Sequence, residues 1–334
     1  MVTIKDVAEA AEVSTATVSR VLSNKPHVRP SVRDRVLAAV AALDYRPNLV
    51  ARSLRSQQSS TIGLIVSDIR NPFFTAISRA VEDAAYDQGY SVFLCNTDED
   101  PQKEALYLNL MRDENVAGVI FSPTRETAVR FPELQVDYPI VIIDRVVAAD
   151  DVDMVLIDNV ASGQRLTNHL IENGYRRIAA VLGEASTTGR QRQQGYELAL
   201  QENNLPLLPE LIKYVPPKID AGREATLALL AMSQRPDAIF TSNSLLTAGA
   251  MMAIQQKNLR IPDDVALVGF DNTTWSLLVQ PAITLIEQPT EEIGQTATEL
   301  LLQRVSQPDK AVREVILKGK LLVRGSSAPR KQGN

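Results

Sequence analysis

The sequence predicts an α/β protein of two unlike parts. A small helix-turn-helix head of three helices, with a hinge helix, precedes a large two-lobed body of doubly wound parallel sheets. Three observations carry this. Hydrophobic spacing is helical before residue 60 and changes afterwards to apolar strands alternating with amphipathic helices. That alternation restarts near residue 162, which implies two similar lobes with a cleft between them. Charge is also divided: residues 1–60 hold nine Lys/Arg against five acids, and the rest hold 26 against 35.

The 334 residues suffice for two or three domains, and 45% hydrophobic with 22% charged residues is ordinary for a globular protein. No apolar run approaches the ~20 residues that span a membrane. Lys5, Asp6, Glu9 and Glu12 interrupt the N-terminus, so no signal peptide is expected and a cytoplasmic protein fits. Cys95 is the only cysteine, which excludes a disulfide framework and a thiolate metal cluster. The net charge of -5 masks a basic head on an acidic body, the balance expected if only the head meets a polyanion.

In the head, Thr3 to Asp6 reads as a capping box that opens a first helix, with Ile4, Val7, Ala8 and Ala11 on one face. A tight turn at Glu12-Val13 follows. Ser14 is a good N-cap for a second helix, whose inward face is Val18, Val21 and Leu22. Pro30 suits the first turn of a third helix, with Val32, Val36, Val40 and Leu43 as its buried stripe. Two short helices joined this way form a helix-turn-helix. The outward residues Thr15, Ala16, Thr17, Ser19 and Arg20 are small or hydrogen-bonding, so they permit close approach to base edges. The bland alternative is a small helical bundle with a polar face. Asn48 can cap a further helix to Leu54, too short to be stable alone in water.

In the body, Ile62–Val66, Ser91–Cys95, Gly118–Phe121 and Pro139–Ile143 read as strands, with helices over Phe74–Gln88 and Gln102–Glu114. The second lobe repeats the pattern. Its helices are Ser162–Asn173 and Gly189–Asn203, and its strands begin near Ile178, Ile212, Ala238, Val265 and Ile283. The expected domains are residues 1–47 (head), 48–60 (hinge helix and linker), 61–325 (body) and 326–334 (polar tail). Lobe 1 takes about 61–158 and 290–318, and lobe 2 about 162–287 and 319–325. The chain is expected to cross between lobes near Asp158, Gln288 and Lys318.

Ligands of such sheets bind beyond the carboxyl ends of the strands. Polar residues directly after strands are therefore the site candidates: Asn71, Phe73 and Phe74, Asp144 and Arg145, Arg190 and Arg192, Asn243, Asp271 and Gln288. This mixture suits a polyol. Asp and Asn accept from hydroxyls, Arg donates to two oxygens at once, and aromatic rings cover the C–H surface. Any one of these residues alone is more often a helix cap or a surface group.

Several segments resemble the LacI/GalR family of bacterial transcription regulators. They are Thr3–Ala8, Val13-Ser14, Thr17–Leu22, Arg33-x-Arg35-Val36 and Leu43–Asn48. Glu12 departs from the family, which usually has Gly there; a positive φ would strain it. The resemblance implies that Asn48–Leu54 is a hinge helix paired across a homodimer in the minor groove. It further implies that Leu54 wedges between base steps while Arg52 and Arg55 sit near phosphates. Thr3 would join the DNA-facing set, and each head would read half of a near-palindromic operator. The body is similar to periplasmic sugar-binding proteins, and the candidate set without Arg190 resembles the pocket of ribose-binding proteins. A ribose-like effector is implied. Two departures bear on it: no aromatic stands near Pro216-Pro217-Lys218, and Ser244 replaces the usual acid. A sugar acid held by Arg190 or Lys218, or a phosphorylated sugar, stays open.

A sugar-controlled repressor has two rivals. His27 and His169 are the only histidines and lack partners at catalytic spacing, so neither an enzyme nor a cofactor or metal is expected. A transport-type sugar receptor fits the body but not the head.

Overall fold

The structure is a computed structural model that describes residues 2–22, 28–45, 59–184 and 187–330. It divides into two compact units, residues 1–59 and 60–334. The expected hinge residues Asn48, Arg52, Leu54 and Arg55 lie outside the described residues.

The head comprises α1 (Ile4–Ala10), α2 (Thr15–Leu22) and α3 (Pro30–Ala42). Thr3 opens α1: its amide and its hydroxyl both donate to Asp6 Oδ2, at 2.7 and 2.9 Å. Ser14 Oγ accepts from the Thr17 amide at 3.2 Å and so starts α2. Val7, Ala8, Ala11, Val18, Val21, Val36 and Ala39 close a core of small side chains. The turn between α1 and α2 places Glu12 at φ 50°, a conformation that costs a non-glycine residue about 1 kcal/mol. Its carboxylate lies 3.8 Å from Arg35, both groups exposed, so this pair returns little.

The second unit holds two six-stranded sheets. In lobe 1 the strands are β1 (Thr61–Val66), β2 (Ser91–Asn96), β3 (Val119–Phe121), β4 (Ile140–Ile143), β5 (Asp153–Ile157) and β11 (Glu314–Leu317). Their order is β11-β5-β4-β3-β1-β2, and all pairs are parallel. In lobe 2 they are β6 (Ile178–Gly183), β7 (Ile212–Val215), β8 (Ala238–Thr241), β9 (Ala266–Phe270), β10 (Thr284–Glu287) and β12 (Lys320–Leu322). Their order is β12-β10-β9-β8-β6-β7. Only β12 runs antiparallel, against β10. It is the second half of a strand pair split between the lobes: β11 ends at Leu317 and two residues later the chain joins the other sheet.

The central strands of each sheet are covered on both faces, which is why they read as continuous apolar runs, while the edge strand β2 leaves Phe93 and Leu94 exposed. On β1, Ile62, Leu64 and Val66 face one cluster and Ile65 the other. The first cluster packs under α4 (Pro72–Asp87) and the late helix α12 (Thr290–Ser306). The remaining helices are α5 (Pro101–Asp113), α6 (Arg125–Arg130), α7 (Asn159–Glu172), α8 (Thr187–Glu202), α9 (Ile219–Leu230), α10 (Ser244–Gln256) and α11 (Thr274–Leu278).

Three starts differ from the sequence reading because a cap sets them. Asn71 Oδ1 accepts from the Phe73 amide at 3.1 Å and places Pro72 at the head of α4. Asp100 does the same for α5. Asp158 Oδ1 takes the Ala161 amide at 2.9 Å, so α7 begins at Asn159 rather than Ser162.

The segment from residue 326 onward is not the irregular tail that its composition suggests, at least as far as Arg330. Ser326 and Ser327 are fully buried in lobe 2. Ser326 Oγ donates to Leu267 O and accepts from the Thr284 amide, while Ser327 Oγ meets His169 Nε2 at 2.8 Å. Tyr175 OH donates to Ala328 O, and Arg330 pairs with Asp237. Polar residues bury at little cost once every hydroxyl is bonded.

Candidate functional site

On the head, α2 presents its outward residues from a fixed start. Ala16 and Arg20 are exposed, as are Thr3 and Ser14, while Thr15, Thr17 and Ser19 are half-buried. Val18 and Val21 point the other way into the core, so the helix cannot rotate without exposing them.

In the second unit, one cleft of about 270 Å³ opens between the carboxyl ends of the two sheets. Asn71, Phe73, Phe74, Asp144, Arg145, Arg192, Asn243, Asp271 and Gln288 all line it. Arg190 does not. It lines a neighbouring groove with Gln193, Glu197 and Tyr214. The reason is helical geometry: two residues on α8 turn the side chain through about 200°, so Arg190 and Arg192 leave on opposite faces.

The floor of lobe 2 is built around Arg192, which is 4% exposed. Its Nε donates to Asn159 Oδ1 at 2.8 Å, its Nη1 to Ser242 O, and its Nη2 to Gln288 Oε1 at 3.2 Å. The guanidinium lies 4.0 Å over the Phe270 ring. Burial depresses its pKa, while the charges of Asp271 and Asp144 work the other way. Gln288 Nε2 in turn donates to Asp271 Oδ1, and the Ser244 amide to Asp271 Oδ2 at 3.0 Å. Asp271 is thereby locked by two donors.

Lobe 1 repeats the design. Asp144 and Asp271 end β4 and β9, the third strand of each sheet, and both adopt left-handed φ of 68° and 72°. Each amide donates to the neighbouring strand, to Val155 O and Ile286 O. Such backbone costs on the order of 1–3 kcal/mol per residue and turns the carboxylate off the strand into the cleft. Phe73 and Phe74 meet edge to face at 5.1 Å and supply the apolar wall. Asn71 and Asn243 cap α4 and α10, so the side-chain oxygen of each already accepts one hydrogen bond and the amide NH₂ is left to donate. Ser244 Oγ reaches Asn71 Oδ1 at 3.4 Å and bridges the lobes where an acid would have repelled Asp271.

Sequence reasoning missed Glu99 and Asp98, which line the cleft, as does Asp68. Glu99 bonds Arg145, and Arg70 joins Asp68 to Asp98. The same strand-end rule covers them, since Asp98 and Glu99 come shortly after β2 and Asp68 shortly after β1. Pro216 and Pro217 line the wall where an aromatic is lacking, with Lys218 beside them.

The model for bacterial regulatory proteins of the lacI family matches residues 3–48, and that for periplasmic binding proteins and the sugar binding domain of the LacI family matches residues 59–324. The chain belongs to the LacI family. The HTH-type transcriptional repressor PurR of Aliivibrio fischeri is 36% identical over 98% of each chain. The ribose operon repressor of Halalkalibacterium halodurans is 37% identical over 97% of this chain and 96% of that one. Among solved structures, the lac repressor dimer bound to operator and the anti-inducer ONPF has a TM-score of 0.88 at 28% identity, covering 98% and 99%. A LacI-family regulator from Enterococcus faecium with bound ribose has 0.71 at 29%, covering 81% and 100%.

As a LacI-family member the chain is a DNA-binding transcription regulator with a small-molecule effector, and its relatives are repressors rather than enzymes. Among the described residues no helix is long and apolar enough to cross a membrane. Within that frame the cleft has a pH signature. Burial pushes the Asp144 carboxyl up to about 6; Arg145 and Arg192 oppose the shift, and Glu99 and Asp271 add to it. Because the folded value is raised, the stability linked to the neutral form is full below about pH 4 and is lost as pH rises through about 6. An effector hydroxyl that donates to Asp144 is held more strongly by the ionised carboxylate than by the neutral acid. Its affinity is therefore expected to fall, by at most about tenfold per unit, as pH drops below about 6. Calorimetry from pH 5 to pH 8 on the native chain and on Asp144→Asn, whose profile should be flat, checks this.

Proposed function

We propose that the protein is a homodimeric repressor whose affinity for a near-palindromic operator is set by a small neutral polyol, a ribose-like pentose, held in the cleft. One observation carries the effector class: paired carboxylates, amides and arginines converge from both lobes on a small cleft with a phenylalanine wall. Six carboxylates and four cationic side chains line it, a balance that disfavours an anion. The rings of Phe73 and Phe74 stand in lobe 1 only, and Arg192 covers Phe270, so a flat base has no two-sided stack. The ribose repressor relative and the ribose-bound family structure support the same reading. A sugar acid is the second reading, favoured by Lys218, which lines the cleft and has no ion pair among the described residues.

Thr3, Ser14, Thr15, Ala16, Thr17, Ser19 and Arg20 face the operator, and Asn48, Arg52, Leu54 and Arg55 supply the hinge. Asn71, Phe73, Phe74, Asp144, Arg145, Arg192, Asn243, Asp271 and Gln288 hold the effector. The protein acts in the cytoplasm, where its operator lies. Binding between the lobes biases their closure about the three connecting segments. The operator response is at most the effector's differential affinity for the two states.

The deciding experiment is calorimetric titration of the full chain with pentoses, hexoses, sugar acids and purine bases, repeated with operator present. Purine binding without any polyol binding would sink the proposal. Operator affinity should also fall on the order of a thousandfold between about 50 and 200 mM salt, as phosphate contacts release counterions. A flat salt profile would count against the basic head.

A further inference from the structure

Arg145 is 5% exposed, and its donors are unequally used. A guanidinium has two edges for bidentate bonding, the Nη1–Nη2 end and the Nε–Nη2 side. Glu99 takes the end: Nη1 donates to Glu99 Oε2 at 2.9 Å and Nη2 to Glu99 Oε1. The carbonyl of Pro123 takes a further Nη1 hydrogen at 2.8 Å. The side edge is left over. Its Nε is buried without a hydrogen-bond partner, and Asp144 Oδ2 stands 3.7 Å away, out of bonding range. A buried donor left without an acceptor is destabilising. An oxygen entering the cleft beside Asp144 would satisfy it.

Glu99 is itself held in an unfavourable backbone. Asp98 and Glu99 follow β2 with left-handed φ of 54° and 61°. Asp98 is pinned by Arg70 at 3.2 Å and Lys103 at 2.8 Å, which fixes the loop that carries Glu99. Strain of this kind persists where the surroundings over-determine it. Glu99, after the edge strand β2, thus meets Arg145, after β4, although β1 and β3 lie between those two strands.

We propose that Glu99 is a positioning residue: by occupying the end of the Arg145 guanidinium, it turns the Nε–Nη2 edge toward a vicinal hydroxyl pair of the effector. Asp144 accepts from the same pair. This rests on the polyol reading of the cleft. Glu99 does not touch the effector; it decides which hydroxyls are read.

The test uses the full chain and titrates D-ribose, 2-deoxyribose and 3-deoxyribose into the native protein, Glu99→Gln, Glu99→Asp and Arg145→Lys. The native protein should bind one deoxy analogue about tenfold or more weaker than ribose. In Glu99→Gln the amide NH₂ faces a donor, the edge turns, and ribose and that analogue should bind within about threefold of each other. Arg145→Lys, which has no edge, should lose the same discrimination, and Glu99→Asp should recover part of it. A purely structural role would weaken all three sugars by one common factor. That result, or native discrimination retained in Glu99→Gln, overturns the inference and leaves the proposed function standing. No binding of ribose by the native protein overturns both.

Discussion

Gly195→Ala should destabilise lobe 2 and loosen the effector cleft together. An added Cβ would stand 2.1 Å from Val160 O and 2.6 Å from the Gln164 amide, both backbone atoms of α7. Gly163 on α7 returns the contact, with 2.3 Å to Arg192 O. The two helices therefore meet glycine against glycine, and any side chain at the crossing must push them apart. Overpacking of this severity costs about 3 kcal/mol, roughly 5–10 °C in Tm for a domain of this size. In an exposed helix the same change would stabilise by about 1 kcal/mol, so the sign is diagnostic. The site suffers because Arg192 on α8 and Asn159 on α7 are joined at 2.8 Å across this crossing. Thermal unfolding should show the loss, and titration should show effector affinity down by about tenfold or more. An unchanged Tm would mean that the helices are not seated as described.

Arg192→Ala should abolish the effector response. The arginine satisfies Asn159, Ser242 and Gln288 at once, and Gln288 in turn orients Asp271. Removing it leaves buried acceptors unpaired and frees the amide that holds the lobe 2 carboxylate. A hydrogen bond from a charged donor is worth about 1.5–3 kcal/mol, so losing one to the effector should lower affinity about ten- to a hundredfold, and misorienting Asp271 lowers it further. Arg192→Lys should not restore it, because an ammonium on a flexible stem cannot span three acceptors in one plane or lie flat over Phe270. Calorimetry on both variants checks this, and near-native affinity in the lysine variant would rule out the planar-hub role.

The legible part of the protein follows from local rules. Val18 and Val21 against Ser14 and Arg20 make α2 two-faced, and a cap sits at its start. The central apolar strands read as buried on both faces because they are, whereas the edge strand β2, equally apolar in sequence, leaves Phe93 and Leu94 exposed. Nine cleft residues were accessible because strand ends are where an open α/β sheet leaves its backbone unpaired and its side chains free. The same rule places Arg190 in the cleft, where the structure has it in a neighbouring groove, because the rule sees chain position but not helical phase.

The sequence by itself determined the head, the two parallel-sheet lobes and most of the polar residues that converge on the cleft. Periodicity, capping and strand-end placement are short-range properties, written within a few residues of each other. Only the tertiary structure decided that Glu99 from the edge strand β2 grips Arg145 after β4, and that Ser326 and Ser327 complete lobe 2. It likewise showed that Asp144 and Asp271 take matching left-handed turns. These depend on strand order and on side chains separated by up to 158 positions, as with His169 and Ser327. Contacts at that range are set by how whole elements pack, and no local pattern in the chain encodes them.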